Sequence, residues 1–397
     1  MPKNVWLIVI GMVINVTGVS FLWPLNAIYL HDYLGKSLTV AGLVLMANSF
    51  ATVIGNLLGG VLFDKIGGFR SILTGAVIAL SAGIGLAFYN GWPHYVLWLM
   101  MIGFGSGIIF PSMYAMAGTV WKEGGRRAFN AVYIATNLGV ALGSALGGFI
   151  ASFTFEYIFI ANAVMFVLFF LLVLFGYKGI KMSPIPTKSV QVDVQQQKSN
   201  RKLYALLALC IGYFLCWIGY VQWTSTISSY TQEIGVSLRE YSMLWTINGA
   251  LIVLGQPFVN KFVYRFMKQM KLQLIVGMLI FIGSFVVAAY ASDFSGFLTA
   301  MLILTVGEML VWPAVPTIAG ELAPSGREGF YQGIVNSTAT VGKMVGPLLG
   351  GFLVDQYGMR MMFMILMVLY VFAIGTTLLY DKILCKKNVE GIPMSES

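Results

Sequence analysis

Long apolar runs separated by short polar segments dominate the pattern of this chain. A helix needs about 20 mostly apolar residues to cross a bilayer. Breaking the sequence at charged and turn-forming residues leaves twelve such runs. We therefore predict an all-α membrane protein with twelve transmembrane spans, at roughly 4–30, 39–62, 71–89, 95–120, 127–152, 155–176, 203–228, 239–262, 272–291, 295–320, 327–353 and 359–381.

One polar segment is much longer than the others. Residues 177–202 are polar and interrupted by proline, a composition typical of a flexible linker. The linker divides the spans into an N-terminal half, 1–176, and a C-terminal half, 203–381, which is followed by a polar tail, 382–397.

The two halves repeat each other in sequence. The stretch from Leu34 to Asn48 aligns with the stretch from Ile234 to Asn248 at an offset of 200, and Phe110-Pro111 recurs as Trp312-Pro313 at an offset of 202. Two six-span halves are typical of secondary transporters, whose binding site lies near the bilayer midplane between the halves.

Charge supports the membrane assignment and gives an orientation. Only 10% of the 397 residues are charged, against about 25% in soluble domains. Of the 24 Lys and Arg residues, 20 fall on the side of the N-terminus and 3 on the other side, which predicts that both termini are cytoplasmic. The basic balance then reflects topology and contact with anionic lipid in a bacterial plasma membrane, and not nucleic acid.

No catalytic chemistry is visible in the sequence. The three cysteines and two histidines have no metal-ligand spacing, so we expect no metal, no cofactor and no enzyme. A membrane-embedded enzyme or a sensor is the alternative from another class. It would need catalytic groups or an added soluble domain, and we identify neither.

The connection between spans 2 and 3 resembles a family signature. GGVLFDKIGGFR, from Gly59 to Arg70, is similar to the signature loop of the major facilitator superfamily, Gly-x-Leu-x-Asp-Arg-x-Gly-Arg-Arg. The matching residues are Gly60, Leu62, Asp64, Lys65 in place of the first arginine, and Gly67, with Arg70 one place beyond the basic pair.

The resemblance covers the whole chain and implies the family fold, two pseudo-symmetric six-helix halves that rock about a central site. It also implies a cytoplasmic gate made of Gly60, Asp64, Lys65, Gly67 and Arg70. Within that gate, the Asp64 carboxylate could face Lys65, Arg70 or the positive N-terminus of a neighbouring helix.

Glycine-rich stretches in spans 5 and 11 resemble the antiporter motif of the same superfamily and predict close helix packing. The packing residues are Gly139, Gly143 and Gly147 in span 5, and Gly342, Gly346, Pro347 and Gly350 in span 11, at an offset of 203. Span 5 departs from the motif because Ser144 replaces its proline, and span 4 lacks the arginine usual in drug/proton antiporters.

Two charges lie deep inside spans, Glu308 in span 10 and Lys343 in span 11. A charge at the bilayer centre costs about 2.5–3.5 kcal/mol on insertion scales, so such residues normally have a task. The two differ in depth by roughly 6 Å, which a lysine side chain could bridge. Three hypotheses remain open: Glu308 is a proton site, Glu308 binds a cationic substrate, or Glu308 and Lys343 form a structural ion pair.

The resemblance implies a substrate cavity lined by spans 1, 4, 7 and 10. Its candidate residues are Asn15, Trp23, Asn26, Tyr29, Tyr114, Tyr213, Trp217, Tyr220, Gln222, Trp223 and Trp312. Many aromatic rings and few charges suit amphipathic or cationic compounds. Each ring alone is better explained by contact with lipid or by core packing, so the argument rests on the whole set.

These observations predict proton-coupled export of small amphipathic or cationic compounds, including drugs. The alternative within transport is a proton-linked or passive carrier of one neutral metabolite. The expected partners are a small-molecule substrate, protons and membrane lipid, and the expected state is a monomer.

Overall fold

The computed structural model describes residues 1–22, 25–151, 153–180 and 192–385, which form helices and turns without a strand. The N-terminal half contains six long helices. They are α1 (Lys3–Leu22), α2 (Leu38–Ile66), α3 (Gly68–Phe88), α4 (His94–Val120), α5 (Arg126–Ala151) and α6 (Glu156–Leu172).

The C-terminal half repeats this arrangement with one additional short helix. Its helices are α7 (Val192–Val221), α8 (Thr226–Glu233), α9 (Leu238–Phe266), α10 (Met270–Tyr290), α11 (Phe294–Leu322) and α12 (Glu328–Cys385). The start of α7 lies inside the segment predicted as a linker, of which residues 181–191 fall outside the described part of the chain.

The last helix, α12, supplies two spans. It is 58 residues long, and a straight helix of that length would extend about 85 Å, roughly twice the thickness of a bilayer. Its backbone is non-helical at Gly358 (φ 78°, ψ 167°), and Gly67 has nearly the same conformation (φ 85°, ψ 158°) between α2 and α3. With this break, the eleven membrane-length helices found among the described residues supply the twelve predicted spans.

The internal repeat is visible in local structure. The Ser37 side chain accepts a hydrogen bond from the backbone N–H of Val40 at the start of α2. Ser237, 200 residues later, accepts one from Glu240 at the start of α9, and the Glu240 side chain returns a bond to complete a capping box.

The regular helices of spans 1 and 7 end earlier than the sequence predicted, at Leu22 and Val221. After α1 the chain forms two short helical turns, Asn26–Ile28 and Tyr29–Tyr33. After α7 it forms a 3-10 turn, Gln222–Thr224. There the hydroxyls of Thr224 and Ser225 donate to the backbone oxygen of Val221, and such bonds compete with those of the helix.

The two halves contact each other along α2 and α12, at the end of the bundle that carries Asp64, which we call the closed end. The contacting pairs are Gly60 with Gly329, Asn56 with Thr340 (Nδ2 to Oγ1, 3.2 Å) and Val53 with Ser337 (O to Oγ, 3.4 Å). A second contact joins α5 and α9, where Asn130 hydrogen-bonds Asn260 and Gln256 Nε2 donates to Asn130 Oδ1 at 3.1 Å.

Toward the other end the halves separate. Asn56 on the contacting face of α2 is buried, whereas Met46 and Gly42, farther along the same face, are exposed. On α12, Ser337 is buried and Lys343 is exposed. We call the gap between these two faces the cleft.

Candidate functional site

Glu308 lies in the middle of α11 and is only 1% exposed. Its Oε1 accepts a hydrogen bond from Asn248 Nδ2 at 2.7 Å, and its Oε2 accepts one from Trp312 Nε1 at 3.3 Å. The Tyr220 hydroxyl also hydrogen-bonds the carboxyl group. Asn248 is held in place because its Nδ2 also donates to Thr305 Oγ1, one turn before Glu308, at 2.8 Å. Neutral donors from α7, α9 and α11 therefore enclose the Glu308 carboxyl group.

The helix is interrupted directly after Glu308. Pro313 has no backbone N–H, so the carbonyl of Met309, four residues earlier, has no partner within α11. Two side chains use that carbonyl instead: Arg126 Nη2 of the N-terminal half at 3.1 Å and Gln256 Nε2 of α9 at 3.2 Å. The residue next to Glu308 is thus a point of contact between the halves.

Lys343 does not pair with Glu308. Its ammonium Nζ lies 4.1 Å from the centre of the Trp217 ring, a cation–π contact. Trp217 in turn stacks on Trp312, with ring centres 4.4 Å apart and planes 12° from parallel. Of the three hypotheses left open for Glu308, the structural ion pair is the one that these contacts do not support: they run from the cation to Trp217, from Trp217 to Trp312, and from Trp312 to the carboxyl group. The sequence supplied only the depth of each residue along the membrane, which does not reveal the side chains around it.

Four of the predicted cavity residues form a cluster around Glu308. They are Tyr213, Trp217, Tyr220 and Trp312, whose neighbouring rings lie 4.4–6.1 Å apart. Tyr133 of α5 was not predicted, yet it packs into the core of the C-terminal half and lies within electrostatic range of Glu308. The sequence offered no signal for Tyr133, because its importance depends on how the halves meet.

The other predicted cavity residues have different surroundings. Asn26 accepts a hydrogen bond from the Tyr95 hydroxyl at 2.7 Å, and Tyr29 packs on Phe155 and Phe159, so both belong to the core of the N-terminal half. Asn15 is fully buried, and its amide has no hydrogen-bond partner among the described residues.

Tyr114 stacks on Phe129 within the N-terminal half. Gln222 is fully buried and donates to the Gly346 carbonyl at 2.7 Å, and Trp223 is fully buried against Phe297. Trp23 lies outside the described residues. The sequence could not give the face of the helix on which each of these side chains lies.

The Asp64 carboxylate binds the N-terminus of α12. Its two oxygens accept hydrogen bonds from the backbone N–H groups of Gly329 (2.7 Å) and Phe330 (2.8 Å). An anion at this position satisfies two otherwise unpaired N–H groups and interacts favourably with the helix dipole. Of the three alternatives for Asp64, the structure favours the helix end, while Lys65 and Arg70 are exposed.

The predicted packing glycines lie where two helices approach closely. An added Cβ would come within 2.7 Å of Val16 Cβ at Gly139, and within 2.6 Å of Trp217 Cβ at Gly342. Gly143 and Gly147 continue the contact with α1, Gly346 continues the contact with α7, and Gly350 lies against Gln222 and Thr226 just beyond the end of α7. Pro347 lies inside α12 between the latter two glycines. The second stretch thereby holds Trp217 against α12, which also carries Lys343.

The fold and this central site define a membrane transporter made of two repeated six-span halves. Within the described residues no cluster of histidine, cysteine and acidic side chains could hold a metal ion. The Major Facilitator Superfamily model matches residues 8–336 and, in a second match, residues 209–393. The chain therefore belongs to the major facilitator superfamily and is a transporter, not an enzyme.

Several relatives are similar over nearly the whole chain. "Uncharacterized MFS-type transporter YttB" of Bacillus subtilis is 58% identical over 382 residues, 96% of each chain. "Multidrug resistance protein MdtH" of Aeromonas hydrophila is 24% identical over 88% of this chain and 87% of its own. Among solved structures, the human organic anion transporter MFSD10 has the same fold, with a TM-score of 0.77 and 13% identity over 95% of this chain and all of the other.

Proposed function

We propose that this transporter is coupled to protons and exports small amphipathic compounds, with Glu308 as the proton site. The observation that carries the proposal is a carboxyl group in the middle of a span that is enclosed by neutral donors and has no cation partner in the described part of the chain. Intramembrane carboxyl groups of this kind mark proton relays in pumps and transporters. The cationic-substrate hypothesis for Glu308 fits less well, because both of its oxygens are already engaged.

The position of Glu308 supports a link between protonation and rocking. The backbone carbonyl of Met309, the next residue, accepts a hydrogen bond from Arg126 of the other half. Any movement of α11 that accompanies proton binding therefore also displaces the Met309 carbonyl at the contact between the halves. The aromatic cluster beside Glu308 supplies apolar surface for a substrate with a ring or a hydrocarbon body.

The distribution of Lys and Arg supports a cytoplasmic location for both termini and for the closed end. With this orientation the cleft faces outward, and Asp64 on the N-terminus of α12 holds the cytoplasmic gate shut. Relatives named for multidrug resistance support export of drug-like compounds. The plasma membrane of a bacterium is the corresponding location, since the named relatives belong to Bacillus and Aeromonas.

The test uses purified protein in vesicles with an imposed pH gradient and three aromatic dyes of matched size that are cationic, neutral and anionic. We expect gradient-driven movement of at least one dye by the wild type, and none by Glu308→Gln. The matched control is Glu321→Gln, which alters an exposed acid at the end of the same helix and should leave transport intact. Driven movement that survives Glu308→Gln would overturn the assignment of the proton site.

A second measurement needs no substrate. Because Trp312 Nε1 donates to the Glu308 carboxyl group, protonation of Glu308 changes the surroundings of one indole. We expect a pH-dependent change of tryptophan fluorescence in the wild type that disappears in both Glu308→Gln and Trp312→Phe. A change that persists in both variants would count against Glu308 as the titrating group.

A further inference from the structure

We propose that Lys343 and the rings beside it form a binding site for an anionic group carried on an aromatic body, such as an aromatic carboxylate. This inference rests on the proposed function only in that it names the substrate class of the same transport site. It differs from the expectation of cationic substrates that the sequence alone suggested.

The first step concerns where Lys343 lies. Along α12 the residues that contact α2 are Gly329, Gly333, Ser337 and Thr340, which follow one face of the helix. Lys343 lies one turn beyond Thr340, at the edge of that face that is nearer Trp217. It is exposed, whereas Ser337 is buried, so Lys343 stands at the floor of the cleft where the two halves begin to separate.

The second step concerns charge. Lys343 and Glu308 are the two charged side chains deep in the spans, and only Lys343 is open to the cleft. Glu308 is 1% exposed and is held by three donors. Among the residues that the structure describes, a ring of Trp217 and no carboxylate lies beside the Lys343 ammonium. A ligand entering the cleft therefore meets a positive charge first, which attracts an anionic group and repels a cationic one.

The third step concerns the body of the ligand. One face of Trp217 carries the ammonium and another ring, Trp312, is stacked on the indole. The remaining aromatic surface near the cleft is provided by Tyr220, which is half-buried and contacts both Trp217 (5.3 Å between ring centres) and Trp245 (6.2 Å). An aromatic ligand can pack against the edges of these rings while its anionic group reaches the ammonium.

The test compares three probes that share a naphthalene ring: naphthalene-2-carboxylate, naphthalene-2-carboxamide and 2-(aminomethyl)naphthalene. Binding to the purified wild type in lipid nanodiscs is measured by equilibrium dialysis at neutral pH without a proton gradient. We expect the carboxylate to bind at least about tenfold more tightly than the other two, the effect of one charge contact worth about 1.4 kcal/mol. Lys343→Gln should remove that preference and Lys343→Arg should keep it, while Lys261→Gln, at an exposed lysine of α9, should not alter it.

Equal binding of the three probes, tighter binding of the ammonium probe, or no carboxylate binding by the folded wild type would each overturn the proposal. A carboxylate preference that survives Lys343→Gln in folded protein would do the same. Gradient-driven transport that depends on Glu308 could still be observed in each of these cases. Conversely, a carboxylate preference could persist in a protein that shows no proton coupling, so failure of either proposal is recognised separately.

Discussion

The two halves have corresponding positions at the same place in the repeat, but only the C-terminal copy carries a charge. The repeat places Asn48 and Ser106 in the N-terminal half where Asn248 and Glu308 stand in the C-terminal half, and Phe110 where Trp312 stands. Asn48 packs against Gly103, the counterpart of Thr305, to which Asn248 donates. The Asn48 side-chain oxygen and the Ser106 hydroxyl are buried without a hydrogen-bond partner among the described residues.

The difference between the copies shows what a buried carboxyl group requires. Around Glu308 the C-terminal half supplies an amide and an indole N–H, whereas Phe110 offers no donor. The second charge follows the same division, because the counterpart of Lys343 at an offset of 203 is Val140. The repeat therefore supplies the same helical arrangement in both halves. The residues that we assign to proton and substrate binding lie in the C-terminal half.

The largest test of this contrast moves a carboxyl group into the first half. Ser106→Glu would bury a charge beside Phe110 without an indole donor, and uncompensated buried charges cost about 3–5 kcal/mol. We expect its Tm, measured in detergent at mildly alkaline pH, to fall well below that of Ser106→Gln, which has the same size and no charge. Equal Tm values would show that the donors around Glu308 are not what makes its burial tolerable.

The next test removes the equivalent asparagine from each half. Asn248→Ala deprives the Glu308 carboxyl group of its 2.7 Å donor, and a hydrogen bond to a charged group is worth about 1.5–3 kcal/mol. Asn48→Ala removes a side chain whose oxygen makes no hydrogen bond. We expect a clear loss of thermal stability for the first variant and a small one for the second, and the reverse order would contradict the comparison.

The prolines of the two halves permit a third test. Pro111 frees the carbonyl of Gly107, a residue that packs against α2, whereas Pro313 frees the carbonyl of Met309, which accepts a hydrogen bond from Arg126. Arg126→Gln should weaken the closed end by about 1.5 kcal/mol, a shift of roughly tenfold in its population. The measurement is the rate of thiol labelling at Ser337→Cys, in a background without the native cysteines.

The control for that test is the neighbouring arginine. Arg127 is exposed, with its guanidinium carbon 5.2 Å from the centre of the Tyr264 ring, so Arg127→Gln should leave the labelling rate unchanged. Equal effects of the two substitutions would point to net charge at this end of the bundle, and not to the bond with Met309.

The smallest expected effect concerns the start of the equivalent helices α4 and α11. Asp293 caps α11 by accepting a hydrogen bond from the Gly296 N–H, while Pro93 gives α4 no side-chain cap. The bonds from Gly296 and Ser295 hold the pKa of Asp293 below its usual range. Its contribution to stability is therefore complete above the ordinary aspartate pKa of about 3.9 and is lost as the pH falls through the lower folded-state value.

We expect Asp293→Asn to lower Tm slightly at neutral pH, and the difference from the wild type to shrink in that acidic window. A difference that grows as the pH falls would contradict the sign of this linkage.

Much of the fold was predictable from sequence because membrane crossing imposes a length and an apolar composition on every span. The repeat was equally visible, and it had already paired Asn48 with Asn248 before the contact of Asn248 with Glu308 was known. Glu308 itself stood out as a lone charge in an apolar run. These inferences depend only on position along a helix.

What could not be predicted depends on rotation about the helix axis and on how the halves meet. Gln222 and Trp223 are residue types that often line cavities, but their side chains pack against α12 and α11, respectively. Arg126 was counted only as a charge that reports topology, although its guanidinium binds the Met309 carbonyl. The sequence did indicate that the Met309 carbonyl needs a partner outside the helix, because Pro313 lacks the N–H that would bind it. It could not indicate that Arg126 is a partner, because Arg126 comes from the other half of the chain.

The hydrogen bond between Arg126 and the Met309 carbonyl has a consequence for hydration. When the closed end opens, the Arg126 guanidinium and the Asp64 carboxylate lose these partners, and the Met309 carbonyl keeps only the bond from Gln256. The positions that become open then require water. Each opening of the closed end therefore requires hydration of the same set of polar groups. Osmolytes that are excluded from protein surfaces should accordingly favour the dry, closed interface, so osmotic strength becomes a control on transport that requires no substitution.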